Sequence, residues 1–296
     1  PPAQRQALEA ACRHWWDQRH RLLEPLRRES NSEDEQQVQR DLLDLAIIGT
    51  DLRIRLAVGE DIVTARRQAL AVLEEAETLL GPHPVLEWER QAIRQGLDLP
   101  VAADVASPTP RTAWEHFALG RLLLRSQKPA EAYPHLERAV ALQPQGLWPN
   151  FFLGICAYRL SKWEEAVLAF TACVTLAPEN AVGYYNRALA YTGLERPDRA
   201  LLDYNTALRF DATFAAAALN RGILHLQADR YPEAIADLEA ALQHGANPAT
   251  GHYNLALVYL KQRQFTRAQE SVQRALRHDP AHQEARALAD RLQQDR

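Results

Sequence analysis

Three asparagines, Asn186, Asn220 and Asn254, stand one after another at intervals of 34 residues. A side-chain amide both donates and accepts a hydrogen bond, so a row of three can bond the backbone of an extended peptide without reading its side chains. The same amides can instead serve packing within their own helices. Aromatic and cationic residues recur at neighbouring phases: Trp114, Phe117, Arg121 and Arg125, then Trp148, Phe151 and Arg159, with Tyr185 and Tyr253 continuing the aromatic column. Trp, Tyr and Arg are the types that most often dominate binding energy between proteins. The chemistry offered is non-covalent recognition. The chain has no GxSxG, no HExxH, no Gly-rich phosphate loop, no HRD and no DFG, and its 12 glycines leave little room for one. His278 and His282 flank Pro280, so no single helix presents them to a metal. The expectation is a chain with no catalytic residue, no metal and no cofactor.

What must position these side chains is a repeat. Ala132, Ala166, Ala200, Ala234 and Ala268 are evenly spaced, as are Ala139, Cys173, Ala207, Ala241 and Ala275. Gly120, Gly154, Ala188, Gly222 and Ala256 form a third series in the same register. Small residues at fixed phases mark places where two helices cross closely. The third unit, 181–214, reads AVGYYNRALAYTGLERPDRALLDYNTALRFDATF, with Tyr184, Ala188, Tyr191, Ala200, Tyr204 and Ala207 at helical spacing on two inner faces. The units run 113–146, 147–180, 181–214, 215–248 and 249–282. Pro144, Pro178 and Pro280 close the first, second and fifth. Residues 283–296 carry Ala285, Leu288, Ala289 and Leu292 on one stripe, the pattern of a cap helix at the end of an open array.

This pattern resembles the tetratricopeptide repeat (TPR), a helix–turn–helix unit of about 34 residues that stacks into a superhelix. The resemblance implies an all-α solenoid that binds a protein or peptide, with repeat positions 2, 5, 6, 9, 12 and 13 pointing into a concave groove. On that reading Asn186, Asn220 and Asn254 form an amide-lined stretch. Trp114, Phe117, Arg121, Arg125, Trp148, Phe151 and Arg159 form an aromatic and cationic end. The alternative for Trp114 and Trp148 is burial beneath the N-terminal helices. A dicarboxylate clamp for an acidic C-terminus is not expected, because Ala216 and Asn220 stand where a clamp needs Lys or Arg after Asn186. Arg187 and Arg221 occupy a phase that is usually apolar, and are expected to pair with an acid across the repeat interface.

The first 110 or so residues follow another register. The periodicity predicts helices over 7–28 (bent near Pro25), 33–57, 61–80 and 85–95, in an N-terminal helical region of residues 1–96. Residues 97–112 contain three prolines and no periodicity, the composition of a linker. Trp15 and Trp16 read as packing residues of the first helix.

Composition narrows the partner. Of 296 residues, 47% are hydrophobic and 24% charged, a globular balance. A formal net charge of −4 gives no basic field for nucleic acid, and no apolar run is long enough to insert in a bilayer. Cys12, Cys156 and Cys173 form no CxxC pair; the latter two occupy small-residue phases and are expected as buried thiols, in a reducing, cytoplasmic setting. The absence of Met gives the expectation of a piece of a longer chain, and the preference for Arg over Lys points to a GC-rich bacterial genome. The segment RDLLDLAIIGTDLRIRLAVGEDIVTARRQALAVLEEAETLLGPHPVLEWERQA, residues 40–92, is similar to the helical region between the catalytic part and the repeats of large bacterial serine/threonine protein kinases. That similarity implies a recruiting or regulatory region of such a kinase; the other reading of the residues is a free-standing adaptor.

Overall fold

The computed structural model describes residues 2–23, 32–59, 61–100 and 109–294. Among them all regular structure is helical: α1 (Pro2–Asp17), α2 (Arg19–Leu23), α3 (Ser32–Leu56), α4 (Asp61–Leu80), α5 (Pro84–Gln95), α6 (Ala113–Arg125), α7 (Pro129–Leu142), α8 (Leu147–Arg159), α9 (Trp163–Leu176), α10 (Ala181–Gly193), α11 (Pro197–Phe210), α12 (Ala215–Gln227), α13 (Tyr231–Gln243), α14 (Pro248–Lys261), α15 (Phe265–His278) and α16 (Gln283–Gln294). The bend expected near Pro25 and the middle of the proline-containing linker, 101–108, lie outside the described residues. The helix expected over 7–28 is divided, with α1 ending at Asp17 and α2 beginning at Arg19.

The chain forms two compact units, Pro1–Lys128 and Pro129–Arg296. The division falls between the two helices of the first repeat rather than in the linker. The reason is the face that α6 presents. Its Ala118 and Leu122 join Trp16, Leu43, Ile47, Leu73, Leu86 and Trp88 in one buried cluster, with Trp114 and Leu119 packed on it.

In the second unit each repeat is a helix pair, and its tight crossings sit at the small residues. Ala166, Ala188, Ala200, Ala207, Ala234, Ala241, Ala256, Ala268 and Ala275 are completely buried. Gly154 shows what sets the limit: a Cβ there would lie 2.6 Å from the ring of Phe170 on the partner helix α9. Successive pairs are joined through α9 to α10, α11 to α12 and α13 to α14, and α16 packs on α15. Its Leu288 and Leu292 are buried with Ala256 and Val272.

The turn inside each repeat is built the same way without glycine. Ser161, Glu195, Asp229 and Arg263, one per repeat, have φ of 57°, 56°, 56° and 58°. The residue after each donates its N–H to a carbonyl five residues back, as from Arg196 to Tyr191 (2.9 Å) and from Gln264 to Tyr259 (2.8 Å). This is a Schellman closure, which satisfies carbonyls left over at the helix end. Between repeats, α7, α9 and α15 end at Leu142, Leu176 and His278, two residues ahead of Pro144, Pro178 and Pro280.

Replacing Ala200 by Leu should overpack a crossing that has no free volume and cost about 1–3 kcal/mol. The adjacent Arg199 is exposed, and Arg199→Leu should change stability by less than about 0.5 kcal/mol. Urea unfolding midpoints of the two variants check this; equal midpoints would contradict the register.

Candidate protein-binding face

The expected aromatic and cationic end divides in the structure. Trp114, Phe117, Arg121 and Arg125 lie on α6, in the first unit, and are engaged there. The Trp114 indole N–H donates to Asp44 (3.2 Å), and its ring meets His83 edge-on at 5.2 Å. Phe117 is buried, with the Arg121 guanidinium over its ring. Arg121 lies 3.6 Å from Asp44. Arg125 pairs with Asp51 (3.2 Å) and with the buried Glu89. Burial pushes the Asp44 carboxyl above, and the Arg121 guanidinium below, their usual values. For Arg121 and Arg125 the expected groove role is therefore corrected: acids on α3 and α5 hold both guanidinium groups inside the first unit. Trp114 is half-buried, packed on the cluster that α1, α3, α4 and α5 build in the first unit.

The residues on α8 fare differently. Trp148 is 59% exposed, edge-on to Phe151 at 6.0 Å. Phe151 is half-buried over Phe170, and Arg159 is exposed at the end of α8. Further along, Tyr185 packs against Tyr204 and Phe214. Tyr253 lies beside His282, with ring centroids 5.1 Å apart.

The amides do not form an open row. Asn186 and Asn254 are both 8% exposed. Each donates back to its own helix, Asn186 to the Val182 carbonyl (2.8 Å) and Asn254 to that of Thr250 (2.9 Å). Asn220 is half-buried and donates to the Tyr185 hydroxyl (3.3 Å). Two of the three thus serve local packing, because a side chain on this face of a helix can reach the carbonyl one turn back.

Two arginines carry a polar pattern of their own. Arg187 makes a two-pronged bond to Asp203 (2.7 and 2.8 Å) and reaches Thr171 of the preceding repeat (3.3 Å). Arg221 repeats this with Asp237 and Asn205. The acid lies within the same repeat, while Thr171 and Asn205 make the cross-repeat link. The legible signal was Arg and Asp 16 residues apart in two consecutive repeats; the second repeat has Leu153 and Ala169, and the fifth Leu255 and Ser271, at those phases.

With this geometry in place, the chain can be set beside known proteins. Tetratricopeptide-repeat profiles match residues 117–181 and 185–249, and again 249–282, more than half of the chain in all. The chain belongs to the tetratricopeptide-repeat family. Among solved TPR-like structures, PilF of Pseudomonas aeruginosa is 18% identical, with a TM-score of 0.56 over 86% of this chain and 99% of that one. The type IV pilus biogenesis factor PilW is 18% identical, at 0.56 over 63% and 86%. YrrB, a TPR protein with an unusual peptide-binding site, is 19% identical, at 0.52 over 60% and 92%. These likenesses show the fold. A search of curated proteins gives no match. TPR arrays bind protein or peptide partners and are generally non-catalytic scaffolds. Among the described residues no helix is long and apolar enough to cross a membrane.

Two measurements follow from this TPR array. Arg187→Leu strands the buried Asp203 and should cost on the order of 2–4 kcal/mol. Adding Asp203→Ala, which copies the Leu/Ala pair of the second repeat, should recover most of that loss; a double-mutant cycle in urea checks the coupling. The thiols give a pH signature. All three cysteines are buried, and burial pushes Cys156 up to about 11 and Cys173 up to about 12. The unfolded thiols ionise near 9.0 while the folded ones stay protonated. Above that pH the unfolded state binds fewer protons, so stability should fall as pH rises from about 9 toward 11–12. At pH 8 a thiol reagent should label Cys156 and Cys173 slowly in the folded protein and rapidly in denaturant.

Proposed function

We propose that this chain is a non-catalytic protein-interaction module whose concave face, lined by α8, α10, α12 and α14, holds a segment of another protein. The observation that carries the reading is Trp148, a large aromatic side chain left 59% exposed beside Phe151 at a groove phase of a TPR array. Tyr185, Asn220 and Tyr253 continue that face, and Arg159 marks one edge. We also propose that the module is the recruiting region of a bacterial serine/threonine protein kinase and works in the cytoplasm. The similarity of residues 40–92 to the region ahead of the repeats in such kinases supports this. A free-standing structural adaptor is the second reading.

The chain captured from its source cell's lysate with a partner should lose affinity for that partner on Trp148→Ala by about 2 kcal/mol or more, roughly thirtyfold. Unchanged titration by Trp148→Ala and by Tyr185→Ala would place the partner elsewhere. Incubated with ATP and a generic acceptor, this chain alone should transfer no phosphate. The reading frame upstream in the full gene separates the two readings: a protein kinase domain supports the first, and its absence supports the adaptor.

A further inference from the structure

We infer that the segment held by the concave face is an amphipathic α-helix presenting a neutral, apolar face, not an extended or acidic peptide. The inference rests on the concave-face reading above and concerns what that face can accept. Three observations in the second unit point the same way. First, the face carries an apolar column: Ile155, Leu189, Ile223 and Leu257 hold the same phase on α8, α10, α12 and α14, and all four are half-buried. Second, it is uncharged. Between Arg159 at the end of α8 and Lys261 at the end of α14, no groove phase carries a charged side chain, and the nearby Arg187 and Arg221 are held by Asp203 and Asp237. A carboxylate brought onto this surface would lose water and gain no cation.

Third, the amides that could read an extended backbone each commit an N–H inside the array, and Asn186 and Asn254 are buried. Asn186 and Asn254 donate to carbonyls of their own helices, and Asn220 donates to Tyr185. An extended segment arrives with an unpaired N–H and C=O at every residue, and each one buried without a partner costs about 1–3 kcal/mol. A helix pairs those groups internally and needs from its host only a surface for an apolar stripe. Charge and hydrogen-bond complementarity therefore select a helix with apolar residues at i, i+3, i+4 and i+7.

The test uses the full chain as bait for two displayed libraries of 18-residue peptides, matched in composition and free of Pro and Gly. One arm places its apolar residues at helical spacing and the other alternates them. Enrichment is expected from the helical arm. Enriched peptides should gain helical circular dichroism on binding, and a central Pro should weaken them at least about tenfold. Ile223→Asp in the chain should weaken binding by at least about tenfold and Ile223→Ala by several-fold, with folding of both verified by thermal melts. Leu202→Asp, on the exposed side of α11, should leave binding unchanged. Enrichment of only alternating or acidic peptides whose binding still depends on Ile223 would overturn the helix while leaving the concave-face reading intact. Enriched peptides indifferent to Ile223 and Leu189 variants would overturn both. Failure of both arms to enrich would also overturn the helix.

Discussion

Everything in the second unit depends on how closely two helices of a repeat can approach. Where Gly154 meets Phe170, and where completely buried alanines recur through the array, the backbones come together without intervening side-chain volume. That close crossing fixes the angle within each pair, and the angle fixes which residues of the first helix are left facing outward. A packed interior does not absorb an added methylene by small adjustments. The small residues are thus the geometric constraint from which the binding face follows, although none of them belongs to it.

The turns and the polar links reinforce this constraint at constant phase. A left-handed residue closes each hairpin at the same point, and four non-glycine residues accept it because the Schellman bonds that follow satisfy the helix end. Arg187 and Arg221 tie the two helices of their repeats to each other and to the repeat before. Since repeat arrays draw stability from nearest-neighbour interfaces, the two links stiffen the middle of the array. They also hold the two cations that flank the middle of the groove, which leaves that stretch of the face neutral.

The first unit uses the same residue types for a different end. On α6 the aromatic and arginine positions of a repeat are turned to the business of a buried cluster, where Asp44, Asp51 and Glu89 meet Arg121 and Arg125. A buried ion pair of this kind contributes little net stability, but losing one partner is costly, so it specifies which surfaces pack together. A repeat phase therefore names a position on a helix without fixing whether that position faces a ligand or a neighbour.

The sequence alone determined the helix-pair architecture, the phase of the crossings, the hairpin boundaries and the cap helix, because a period of 34 with small residues in three columns repeats the same local signal five times. It also determined that α3, α4 and α5 are helices, through apolar periodicity and the Gly81-Pro82 stop. Which side chains stay available was decided only in three dimensions. Asn186 and Asn254 look identical to Asn220 in the sequence, yet of the three only Asn220 reaches across to the preceding repeat, because that choice depends on whether a Tyr185-like hydroxyl lies within reach. Arg121 and Arg125 could not be told from groove cations, since their partners Asp44, Asp51 and Glu89 lie between 36 and 77 residues earlier in the chain. Local periodicity reports which face of a helix is buried; what buries it is a long-range fact that only the folded chain supplies.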